Sequence, residues 1–185
     1  MSMNSTSLSI VAEYFRLFRF GNDIHGGSTA ITQKHFLSNT MAPDVTDGTV
    51  VGLEMLLKNW EFMTRCLPNV DMQPIRIENG PTGVIIAIVS CTFTITETSL
   101  RLAFPYLSDR DEGYVIAVKL VGQELTMNGT YQFHYDEQSN RVTCIKPTLD
   151  ILTPLLSLLG SLENVAHLFE NAVITPECKI AYPFA

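Results

Sequence analysis

The sequence predicts an α+β fold: one curved, mostly antiparallel sheet with helices on one face. Three observations carry this. Two strongly amphipathic helical segments lie in the first third of the chain. A run of segments with period-two hydrophobicity follows, separated by hairpin-length turns, and two short apolar helical stretches close the chain. Helices first and strands after is the α+β order, and short turns argue against a doubly wound parallel sheet, which needs long crossovers.

Taken in order, residues 1–7 are polar and expected to fray. From Leu8 to Phe20, the residues Leu8, Val11, Phe15 and Phe18 recur at helical spacing, with Tyr14 and Leu17 widening the stripe. Ser7 is the expected N-cap and Gly21 the expected stop. GNDIHGGSTA then reads as a Gly-rich connector, since it lacks the GxxxxGK[ST] pattern of a phosphate loop. Residues 31–40 predict a short helix, and MAPDVTDGT a turn with a short strand. Residues 50–66 form the second amphipathic helix, with Leu53, Leu56, Leu57, Trp60 and Met63 on one face and Pro68 ending it.

The period then changes to two. Residues 70–78 predict a strand, ENGPTG a turn, and residues 84–96 a long strand. One phase of that strand, Ile85, Ala87, Val89, Cys91, Phe93 and Ile95, is wholly apolar and is assigned to the core. The other begins with Val84, Ile86 and Ile88 and ends in polar residues, so its apolar part is expected to meet another surface. SLRLAFPYL reads as a short helix or lid before the charged loop SDRDEG. Residues 114–121, 124–136 and 141–149 are predicted strands. Thr153 is the expected cap and Pro154 the first residue of a short helix ended by Gly160, and Ser161 is expected to cap a last one. The expected organisation is one domain over residues 8–175 with a tail over 176–185.

Composition bounds the function. Twelve basic against nineteen acidic residues leave a net charge of −7, which speaks against a general nucleic-acid-binding surface. No run approaches the ~18 apolar residues of a membrane span. The N-terminus lacks the basic segment of a signal peptide, so an intracellular location, cytoplasmic or nuclear, is expected. Cys66, Cys91, Cys144 and Cys178 form no CxxC pair, and no two histidines have HxxxH spacing. Reduced thiols and no metal or cofactor are therefore expected. GxSxG and dinucleotide-binding fingerprints are absent.

The stretch from residue 120 to 160 carries a resemblance. It holds Gly122 and Gly129 on one strand, then Tyr131-Gln132-Phe133, the polar hairpin DEQSN, and a last strand running into LLSLLG. In this it resembles the SnoaL-like, or nuclear-transport-factor-2-like, superfamily, over roughly residues 8–160. The resemblance implies a cystatin-like cone: a long bent sheet wrapped around N-terminal helices, with a pocket at its open end. More narrowly, EYFRLFRFG, TMAPDV, LLKNW and LTPLLSLLGSLENV look like the domain C-terminal to the bZIP segment of oomycete transcription factors. The chain has no basic region and no leucine heptad, so DNA binding is not carried over. That leaves a companion domain for ligand sensing or dimerisation.

Enzymes of the superfamily do acid–base chemistry with Asp, His and Tyr inside an apolar cone, where burial tunes the pKa. Asp150 is the best-placed carboxylate here, with a cap or surface residue as the alternative, and Tyr14 or His35 is the candidate partner. His134 falls on the polar phase of its strand, His25 in a loop, and His167 on a polar helix side. The aromatics point elsewhere. Tyr14, Phe18, Trp60, Phe93, Tyr131 and Phe133 fall on core phases and are expected, with Met63, to line the pocket, unless they fill the core. Phe104 and Tyr106 are candidates for the rim. Two functions follow as expectations. One is a non-catalytic module that binds a small apolar ligand or forms a homodimer through Val84, Ile86 and Ile88. The other is a small isomerase, cyclase or dehydratase using Asp150.

Overall fold

The computed structural model describes residues 5–107 and 111–181. Helices α1 (Ser5–Leu17), α2 (Ser28–Thr40) and α3 (Leu53–Cys66) come first, with strand β1 (Met41–Thr46) between α2 and α3. Strands β2 (Asp71–Asn79) and β3 (Val84–Thr94) precede two helices, α4 (Glu97–Ala103) and α5 (Asp111–Leu120). Strands β4 (Glu124–Asp136) and β5 (Arg141–Asp150) then lead into α6 (Leu152–Leu159) and α7 (Leu162–Phe169). The sheet order is β1-β5-β4-β3-β2. β1 runs parallel to β5, and the other pairs are antiparallel. This is the predicted α+β architecture.

The alternation of β3 sets the core. Ile85, Ala87, Val89, Cys91 and Phe93 are buried, while their neighbours are half-buried. Cross-strand partners share a face. Ile85 pairs with Phe133, Ala87 with Tyr131, and Cys91 with Met127. Phe133 in turn pairs with Ile145, Tyr131 with Pro147, and Gly129 with Leu149. One face of three strands is thus continuously apolar, and α1 lies over it. Register shifts between Pro74 and Arg76 and between His134 and Tyr135 interrupt the ladder, and such irregularities raise local twist. Gly129 adds a close approach: a Cβ there would stand 2.1 Å from the Thr148 carbonyl oxygen and 2.8 Å from Leu149 Cα.

Four expectations need correction. Residues 114–121 are not a strand but most of α5, because Gly113, Ile116 and Leu120 are buried at helical spacing while Tyr114, Val115 and Val118 face outward. The charged loop is shortened accordingly: the chain is helical from Asp111, and residues 108–110 lie outside the described residues. Helix α1 starts at Ser5, so Ser7 is a buried residue of its first turn, not its cap; residues 1–4 lie outside the described residues. The segment from 176 to 181 is no loose tail. Its backbone accepts from the β5 end (Leu149 N to Glu177 O, Ile151 N to Pro176 O, both 3.3 Å), and it buries Cys178 and Ile180. Residues 182–185 lie outside the described residues.

A bidentate ion pair ties the end of α1 to the sheet. Arg19 Nε and Nη2 donate to the Asp71 carboxylate at 2.7 and 3.0 Å, and Met72 N donates to Arg19 O at 2.8 Å. The Arg19 guanidinium holds the Asp71 carboxyl below its usual range. A carboxyl lowered in the folded state contributes stability above its unfolded pKa and loses it as pH falls through the folded value. Urea midpoints should therefore stay level from neutral pH down to about 5 and fall below about 4. Asp71→Asn should flatten part of that fall, and an unchanged acid limb would contradict the assignment.

Candidate functional site

The inner face of the sheet is not filled completely. A cavity of about 110 Å3 lies between α1, α3, the inner faces of β3, β4 and β5, and the C-terminal segment. Tyr14 of α1 and Phe18, the residue that follows the helix, enter it four residues apart, stacked at 4.9 Å between ring centroids and 26°. Trp60, Met63 and Thr64 come from α3, whose Trp60 ring meets Tyr14 and Phe18 at 5.9 and 5.6 Å. The sheet supplies Cys91, Met127, Tyr131, Pro147 and Leu149, and Cys178 closes the wall. Tyr14, Phe18, Tyr131 and Cys178 are buried, whereas Trp60, Met63, Thr64 and Met72 are half-buried and form the rim.

The aromatics make one cluster. Tyr14 meets Trp60 edge-on at 5.9 Å, Tyr131 at 6.1 Å and Phe133 edge-on at 5.2 Å. Edge-to-face pairs of this kind add about 0.5–1.5 kcal/mol each beyond buried area. Phe93 and Phe133 correct the expectation that they line the pocket. Phe133 is sealed between Tyr14, Phe15 and Tyr131, Phe93 is sealed in the core, and neither reaches the cavity. Phe104, another rim candidate, is buried against Phe169 at 5.6 Å, and Tyr106 is exposed; neither lines the cavity.

The polar atoms around the cavity differ in what they have left to offer. Thr64 Oγ1 accepts from Asn22 N at 3.1 Å and donates to Trp60 O at 2.8 Å, so it is spent locally. The hydroxyls of Tyr14 and Tyr131 have no hydrogen-bond partner among the described residues, and neither is among the polar atoms sealed off in packing, which are Asn59 Oδ1 and His134 Nε2. Burial pushes both phenols above their ordinary pKa, and Tyr131 is raised further by Tyr14, Cys91 and Cys178. They are hydrogen-bond donors throughout the physiological range. Burial pushes the Cys66 and Cys91 thiols up to about 12 and raises Cys178 too. All four cysteines are free, and these three remain protonated, behaving as small apolar groups.

Asp150 lies away from this cavity. It is exposed at the end of β5, and its carboxylate accepts from Thr153 N at 3.0 Å and from the Thr153 hydroxyl. It therefore caps α6, a role expected of Thr153, and these bonds hold its carboxyl below the usual range. Asp150→Ala should lower stability by about 1 kcal/mol through the lost cap. Binding in the cavity should be unchanged; a loss of binding with the fold intact would contradict this placement. His35 is exposed on α2 and bonds Asn39 at 3.2 Å. The structure does not bring Asp150 and His35 together at the cavity. Val84, Ile86 and Ile88 sit half-buried on the outer face, where Val84 pairs with His134, Ile86 with Gln132 and Ile88 with Thr130. Asn22, Met72, Cys91, Met127, Leu149 and Cys178 are among the lining residues that sequence reasoning missed; Cys91 and Met127 share the inward phase of their strands, and for Cys178 the burial of Ile174, Cys178 and Ile180 at even spacing was the signal. Among the described residues, no group of His, Cys, Asp and Glu is placed to hold a metal ion.

Comparison with solved structures decides the fold. A SnoaL-like polyketide cyclase from Agrobacterium tumefaciens superposes with a TM-score of 0.56 at 10% identity, covering 85% of this chain and 100% of that one. The chain has the SnoaL-like fold. AclR from Streptomyces galilaeus gives a TM-score of 0.55 at 13% identity, covering 87% of this chain and 88% of that one. TsrD from Streptomyces laurentii gives 0.55 at 10% identity, covering 87% and 100%. A protein-family model described as the BZIP transcription factor 1 C-terminal domain matches residues 8–66, which span α1 to α3 of the SnoaL-like fold. No curated protein matches the sequence. Among the described residues, no helix is long and apolar enough to cross a membrane.

Proposed function

We propose that the chain is a non-catalytic module that binds one small, mainly apolar molecule in its cone cavity and pairs with a second copy through the outer sheet face. The observation that carries the reading is the composition of the cavity wall. It is mainly aromatic, aliphatic and sulfur-bearing, with Asn22 and Thr64 as further polar side chains, and no carboxylate, imidazole or cation is among the described residues that line it. Acid–base catalysis in this fold would need a titratable pair within hydrogen-bonding reach of a bound substrate. Asp150 and His35 are instead occupied at the surface by Thr153 and Asn39. The match of residues 8–66 to the C-terminal domain of a bZIP transcription factor supports a companion domain of a transcription regulator, acting in the nucleus or cytoplasm. The alternative is a small SnoaL-like isomerase, cyclase or dehydratase. It becomes the better reading if a molecule that binds the cavity is recovered chemically changed.

The pairing surface rests on Val84, Ile86 and Ile88. Their side chains alternate along one face of β3, beside Thr130 and Gln132 of β4 and Arg76 and Glu78 of β2. A stripe of branched apolar residues on an otherwise polar face fits a self-complementary sheet interface. Sedimentation equilibrium should give a dimer for the intact chain and a monomer for Ile86→Lys/Ile88→Lys, with little change in Tm. A monomeric wild type at high concentration would overturn the pairing.

A further inference from the structure

The cavity constrains its occupant more closely than "small and apolar", and the argument here rests on the cavity being the binding site proposed above. The first constraint is size. A dry apolar cavity of about 150 Å3 accommodates a benzene ring. The volume here is about 110 Å3, with half-buried Met63 and Met72 at the rim. Methionine side chains can shift to admit one ring with a small substituent. A fused polycyclic frame is too large.

The second constraint is shape and polarisability. Tyr14, Phe18 and Trp60 present ring faces and edges, and Met63, Met127 and Cys178 present sulfur. Both kinds of surface favour an aromatic guest over an aliphatic one of equal volume.

The third is polarity. The phenol hydroxyls of Tyr14 and Tyr131, the Asn22 carboxamide and the Trp60 indole N–H have no hydrogen-bond partner among the described residues, while the Thr64 hydroxyl is committed to Asn22 N and Trp60 O; of these donors the two phenols belong to neighbouring rings, 6.1 Å between centroids. A guest that offers an accepting oxygen satisfies groups that otherwise stay unpaired in an apolar site. The fourth is charge. No Lys, Arg or His is among the described residues that line the cavity, so a carboxylate guest would enter without a counter-charge.

We infer that the ligand is a neutral, single-ring aromatic compound bearing a carbonyl oxygen, seated with that oxygen toward Tyr14 and Tyr131. The carbonyl has two lone pairs and can accept from either hydroxyl or from both.

Calorimetric titration of the intact protein tests this with four probes: acetophenone, α-methylstyrene (the same shape with a methylene in place of the oxygen), benzoate, and 2-acetylanthracene. Acetophenone should bind about tenfold more tightly than α-methylstyrene, the worth of one hydrogen bond. That ratio should fall toward one in Tyr131→Phe or in the Tyr14→Phe/Tyr131→Phe pair. Benzoate and 2-acetylanthracene should not bind. Equal affinity for acetophenone and α-methylstyrene would overturn the carbonyl assignment, tight benzoate binding the neutrality, and 2-acetylanthracene binding the single-ring limit. In each of those cases binding in the cavity itself stands. If none of the four binds, the inference fails together with the reading it rests on.

Discussion

Replacing Gly129, which sits inside β4 against β5, by alanine should cost about 3 kcal/mol or more. The reason is backbone, not side chain. The new Cβ would lie 2.1 Å from Thr148 O and 2.8 Å from Leu149 Cα, and no rotamer change relieves a clash with main chain. Strands β4 and β5 would have to separate where they carry Tyr131 and Pro147 to the cavity wall. Overpacking typically costs about 1–3 kcal/mol, and a main-chain obstacle belongs at or above the upper end. With roughly 2–4 °C lost per kcal/mol at this size, Tm should drop by about 6–12 °C or more. Gly122→Ala is the control. Its methyl would meet nothing within 4 Å, but its φ of +82° is left-handed, so it should cost only about 1–2 kcal/mol. Equal losses for the two variants would mean that the strands do not close as described.

Phe133→Ala should cost about 3–5 kcal/mol, the range for emptying a sealed aromatic site. Phe133 is fully buried, with ring contacts to Tyr14, Phe15 and Tyr131 and no share in the cavity. Tyr131, two residues earlier on the same strand face, should behave oppositely. Tyr131→Phe removes a hydroxyl that has no partner among the described residues, so stability should hold or rise slightly. Chemical denaturation of the two variants reads both at once. A Tyr131→Phe loss above about 1 kcal/mol would show that the hydroxyl is bonded within the protein, and would remove the donor on which ligand recognition rests.

The contrast between these two residues shows where sequence reasoning stops. Period two places Tyr131, Phe133, Phe93 and Cys91 on the inner face with certainty of phase, because a strand has only two faces. Which of them meets a neighbour and which meets a void depends on how α1 and α3 lie over the sheet, and no local pattern encodes that. Helix α5 failed for a different reason. Val115, Ile116 and Val118 are β-branched and mimic strand composition, and its outward face carries Tyr114 and Val115, so the apolar stripe is not one-sided. Its helical contacts, Gly113, Ile116 and Leu120, are visible only once those outward residues are set aside. The closing segment was missed because Ile174, Cys178 and Ile180 alternate over too short a span, broken by Pro176, to read as a strand. Asp150 was legible as a cap or as a catalyst. Its distance in sequence from Thr153, three residues, is the capping geometry that the fold uses.

Ligand binding requires that the cone hold an open, apolar cavity. Crystallography under xenon pressure tests that most directly, because xenon enters dry apolar cavities without needing a hydrogen bond or a charge. A xenon peak should appear bounded by Trp60, Met127 and Tyr131, with the surrounding side chains unmoved. No peak there, with Trp60 or Tyr131 collapsed into the space, would contradict it.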